Sequence, residues 1–207
     1  MARALLDKQF ENTPGRRGES RALEGSDFTA VSVLSEIDRL PVGIDDALFC
    51  FISTHGGYDT KVGHFMSTAD GVLVRRDVMA RLKQKSSRLT ILITDASQPN
   101  TLPDDVVTRT AAADKPTHAL TQLLFYYQGA VDINSSSCRS NGHPNGEFSW
   151  YWNRSDSQGG GLFTRSFCDS GIYAPANGGW DSFIRDVKER MRSELPSAEQ
   201  NPMWFED

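Results

Sequence analysis

Two apolar runs in this chain stop abruptly at residues able to do chemistry. "ALFCFIST" runs into His55-Gly56-Gly57, and "TILITDA" runs into Ser97. A histidine and a hydroxyl residue, each at the end of an apolar segment, are the types that serve as general base and nucleophile in acyl transfer. Gly56 lets the backbone come close to a substrate carbonyl, and its N–H together with that of residue 97 forms a candidate oxyanion hole. A serine hydroxyl is far less acidic than a thiol, so it needs a base held by a buried carboxylate. No particular carboxylate of this sequence is assigned to hold His55.

These residues require elements that bring them together. "FTAVSVLSEIDRL" places Val31, Leu34, Ile37 and Leu40 on one face and offers Thr29 or Asp27 as N-cap, which predicts a helix over 29–39. The run before His55 is a buried strand that Gly56 and Gly57 end. After a small hairpin around 69–74 comes a helix with Val78, Met79 and Leu82 inward, and then "RLTILITDA", a second buried strand. Strand, helix, strand predicts an α/β fold: one domain over 1–207, with a mostly parallel open sheet and helices on both faces.

Residues 97–116 read as a long polar loop. Further on, Leu120, Leu123, Leu124 and Tyr127 mark a helix capped by Gly129. "AVDIN" and "FSWYWNR" read as strands, "GGGLFTRSFCDSGI" as a loop opening into a helix, and "WDSFIRDVKERM" as a helix with Trp180, Phe183, Ile184, Val187 and Met191 inward. Ligands bind open α/β sheets beyond the carboxyl ends of the strands, where His55 and Ser97 face each other if their strands are neighbours.

Bulk properties narrow the classes. With 207 residues, 38% hydrophobic, 24% charged and a net charge of -5, the chain reads as a soluble globular domain without a nucleic-acid partner. No window has the length of a membrane span and the first residues lack a secretory pattern, which gives a cytoplasmic expectation with no membrane partner and empty sequons at Asn134 and Asn153. Cys50, Cys138 and Cys168 lack metal spacing and a disulfide count. Cys50 reads as a buried thiol, Cys168 as packed, and Cys138 as a loop residue without a paired base. His64, His118 and His143 read as structural. Asp45-Asp46 and Asp104-Asp105 form no calcium loop, so no metal and no cofactor is expected.

"DDALFCFISTHGGYD" followed by "RLTILITDAS" resembles the caspase and metacaspase superfamily, in which a strand ends in His-Gly and a later one in Asp-x-Cys. "GAVDINSSS" with "GEFSW" is similar to its substrate-pocket strands, and "GGGLFTRSFC" to the Gly-rich approach to the last long helix; the likeness runs from Asp27 to Met191. The resemblance implies a caspase-like sandwich and a cysteine endopeptidase with His55 as base and position 97 as nucleophile. There are two departures. No version of the family's first strand is found before Ser26, so 1–25 looks truncated or divergent; and Ser97 stands where the thiol belongs.

By the same resemblance Asp95 and Asp132 line one primary pocket and select Arg or Lys, through paired charge-assisted hydrogen bonds. Read from the residues alone, each is a capping residue beside a strand end. The 97–116 loop takes the place of the intersubunit linker and offers Arg109 and Lys115 for self-cleavage. One of Trp150 and Trp152 lines a groove while the other packs. The expected partner is a peptide or protein with a basic residue before the cleaved bond, the Ser97 form being nearly inactive. The alternatives are a natural pseudoprotease that acts as a binding or regulatory scaffold and, last, a serine hydrolase of another type.

Overall fold

Leu89, Ile91, Leu92 and Ile93 are wholly buried in succession, as a strand covered on both faces requires. They open β4 (Leu89–Thr101), whose neighbours are β1 (Ala47–Asp59) and β5 (Gly129–Asn134), both parallel to it. The computed structural model describes residues 18–101, 117–135, 148–152, 160–174, 178–196, 200 and 202–206, of which 97–101, 148–152 and 160 are described as backbone only. Antiparallel strands flank this parallel centre: β2 (Gly63–Thr68) and β3 (Gly71–Val74) beyond β1, and β8 (Met203–Glu206) beyond β5. The short strands β6 (Phe148–Trp152) and β7 (Gly160–Gly161) branch from the far end of β4.

Alternation along β4 sends its side chains into two cores. Leu92 and Ala96 join Val33 and Ile37 of α1 (Ala30–Arg39) and Val78, Met79 and Leu82 of α2 (Arg75–Lys83). Leu89, Ile91 and Ile93 face α3 (Ala119–Tyr126), α4 (Leu162–Tyr173) and α5 (Gly179–Glu194). Phe167 packs edge-on against Phe183 at 5.1 Å, and Phe183 against Trp180 at 5.7 Å. Truncating a ring such as Phe167, fully buried here, costs about 3–5 kcal/mol. The α/β fold with an open sheet and helices on both faces is as expected.

Several local expectations are corrected. Thr29 does cap α1, accepting from the Ser32 N–H at 3.0 Å, but the buried stripe is Val33 and Ile37, while Val31 is 72% exposed. The apolar period was shifted because Phe28, Leu34 and Leu40 are only partly buried beside it. Gly56 and Gly57 do not end β1, and Ser97 does not begin a loop, because both strands run on after taking new partners. Gly129 is not the cap of α3: Tyr127 is, and Gly129, at φ +101°, opens β5. Among the described residues, no helix is long and apolar enough to cross a membrane.

Candidate active site

β1 and β4 run side by side from the Ala47–Leu89 pair to the His55–Ser97 pair, and then part. From Gly56 onward β1 pairs with β2, and from Gln98 onward β4 pairs with β6. His55 and Ser97 thus form the last shared rung, their backbones about 4.8 Å apart as in any parallel pair. The two strands take different partners immediately beyond them, toward the carboxyl ends of the central strands, the side on which open α/β sheets bind ligands.

Gly56 is required at the fork by close approach. A Cβ there would lie 2.5 Å from the Phe65 carbonyl oxygen of β2 and 3.1 Å from the Ala96 Cβ of β4. His55 itself is exposed. Position 97 shares the strand parity of Ile91, Ile93 and Asp95, the side of the sheet that carries α3, α4 and α5.

Asp95, two residues before Ser97, is buried, and its Oδ2 accepts a 2.5 Å hydrogen bond from the Thr164 hydroxyl in the first turn of α4. Gly161, the residue before that helix, passes so close that a Cβ there would collide with Asp95 Oδ2. An anion near a helix N-terminus is favoured by the backbone dipoles there.

Asp132 lies elsewhere. Its carboxylate pairs with Arg75, the first residue of α2, whose Nε donates to Thr94 Oγ1 at 2.7 Å; Thr94 in turn donates to Asn134 Oδ1 at 3.0 Å. Thr94 and Asp95 are consecutive along the strand and so point to opposite faces. The expectation that Asp95 and Asp132 line one pocket is therefore corrected: the sheet separates them, and Arg75 neutralises Asp132.

The remaining sequence candidates fall as follows. His64 stacks edge-on with Tyr58, its register partner, at 5.1 Å. His118 precedes α3 with a left-handed φ of +53°. Burial pushes the Cys50 and Cys168 thiols up to about 12, so neither is a nucleophile at neutral pH. Asp46 holds the Gly43 N–H at 2.6 Å. Arg109, Lys115, Asp104, Asp105, Cys138, His143 and Asn153 lie outside the described residues, as do the side chains of Trp150 and Trp152. Among the described residues, no three His, Cys, Asp or Glu side chains gather as a metal site.

Sequence reasoning missed Thr164, Gly161 and Arg75. The glycine cluster before α4 was the one local signal for the first two; nothing local marks Arg75. No protein-family model matches the chain, and no curated protein matches it.

Proposed function

We propose that this chain is a caspase-like cysteine-type endopeptidase domain whose nucleophile position carries serine, leaving it nearly inactive as written. The single observation that supports this reading is the His55–Ser97 rung at the fork of two parallel strands. A base and a nucleophile on the last shared rung of two parallel strands, with a close-packed glycine after the base, suit acyl transfer at an extended peptide. With a thiol at 97, His55 takes its proton as sulfur attacks the scissile carbonyl, then returns it to the departing amine; water releases the acyl group. Gly56 and the backbone of residue 97 are the candidate oxyanion donors.

The substrate side chain is Arg or Lys, selected by Asp95 alone; Asp132 is left out because Arg75 holds it on the other face. Unpaired cysteines at 50 and 168 fit a reducing, cytoplasmic setting. The second reading, a pseudoprotease that binds a basic segment without cutting it, is favoured by Ser97 itself.

Fluorogenic peptides ending in Arg, Lys or Asp, offered to the protein and to Ser97→Cys, decide between them. Cleavage after Arg or Lys by the cysteine form alone, at least about a hundredfold above the serine form, is the expected result. Silence from a folded Ser97→Cys protein would reject the peptidase reading in favour of the scaffold.

A further inference from the structure

Phe49 and Phe51 of β1 pack against the core formed with α3, α4 and α5, and His55 shares their strand parity, so it points to that same side of the sheet. The row continues past His55. Gly56 pairs with Met66, which brings His55 level with Ser67, and the Thr54 hydroxyl donates to the Ser67 carbonyl at 2.9 Å. Ser67 in turn pairs with Val72. Position 97, His55, Ser67 and Val72 thus form one row across β4, β1, β2 and β3, on one face of the sheet.

An apolar strip runs alongside this row. Gly57 pairs with Phe65 and Phe65 with Val74, and the Phe65 ring lies over Gly57, where an added Cβ would meet it at 3.0 Å. Met66 and Leu73, of opposite parity, are buried in the other core with α1 and α2. Phe65 and Val74 are only half-buried, and Val72 is 59% exposed. We propose that Phe65, Val72 and Val74 form a subsite for an apolar side chain of a peptide substrate, at the second or third residue after the cleaved bond; this rests on the peptidase reading of His55 and position 97.

The chemistry sets the direction. His55 returns its proton to the departing amine, so the amine lies on the His55 side of the nucleophile. The peptide that carries this amine continues away from β4, toward β2 and β3. Two strand spacings of about 4.8 Å put Val72 roughly 10 Å from His55, and an extended peptide covers about 3.3 Å per residue. The second or third residue after the bond therefore reaches the strip. An apolar side chain there covers Val72 and Phe65 and takes from water the surface that the fold leaves open.

Calorimetry on the protein with Ser97 tests this without catalysis. Two peptides share an arginine and differ at the second and third residues after it, leucine in one and serine in the other. The leucine peptide is expected to bind about tenfold more tightly, the effect of partly burying a leucine side chain. Val72→Ser, at an exposed position that the fold does not depend on, should remove that preference and leave the serine peptide's affinity unchanged. Phe205→Ser, on β8 at the opposite edge of the sheet and also exposed, should not alter it. Equal binding of both peptides, binding of neither, or a leucine preference that survives Val72→Ser overturns the subsite, and the peptidase reading is then still decided by the Ser97→Cys assay. If Ser97→Cys is silent while Val72→Ser removes the preference, the peptidase reading fails and the strip stands as the contact surface of a binding scaffold. A third peptide, with its leucines before the arginine, fixes the side: an equal response of this peptide to Val72→Ser overturns the placement after the cleaved bond.

Discussion

At Gly56 a methyl group has nowhere to go, since it would meet the Phe65 carbonyl oxygen and the Ala96 Cβ and carbonyl carbon rather than the end of a flexible side chain. Gly56→Ala is therefore expected to lower stability by about 1–3 kcal/mol, read as a shift in the urea midpoint. Gly63→Ala is the contrasting control: open space surrounds that position, but its φ of +83° strains an L-residue, so a loss of about 1 kcal/mol is expected. That His55 and Ser97 each follow a buried apolar run was legible, because such a run is read within a few residues. The Thr164 bond was not, since its partner is a carboxylate 69 residues earlier in the chain.

Elements are joined by polar struts as much as by apolar faces. Arg75 ties the start of α2 to both β4 and β5 by reaching Thr94 and Asp132. Removing one member of such a partly buried pair strands the other's charge. Arg75→Met should cost about 2–3 kcal/mol, and adding Asp132→Asn should recover more than half of it; chemical denaturation of the two single variants and the double variant checks this. At this scale the sequence misread both strand ends. Two glycines and a Ser-Gln-Pro stretch look like stops, yet a strand persists wherever a new partner offers hydrogen bonds, and β2 and β6 do so.

Across the whole molecule, the α4–α5 layer makes stability depend on pH. Burial raises the Asp169 and Glu194 carboxyls, partly offset by Arg165 and Arg190; Asp186 pushes Asp169 up further, and Asp169 does the same to Glu194. Glu194 Oε2 is buried without a hydrogen-bond partner. The folded state holds these protons more tightly than the unfolded chain does. Their contribution is thus full below the ordinary carboxylate range and is lost as pH rises through the raised values. Glu194→Gln should flatten that fall, so that the variant gains on the parent between pH 4 and pH 7.5 in urea unfolding; a parallel pair of curves would contradict it.

The sequence by itself determined the α/β class, the two central buried strands and a helix start capped by Thr29 or Asp27, because apolar periodicity and capping are local properties read within a few residues. Only the tertiary structure decided which residues share a face. It put Asp95 with α4 and Asp132 with α2, and it set His55 beside Ser97 at the fork. The physical reason is that a strand's two sides differ by one residue, while the partners that occupy them come from distant parts of the chain.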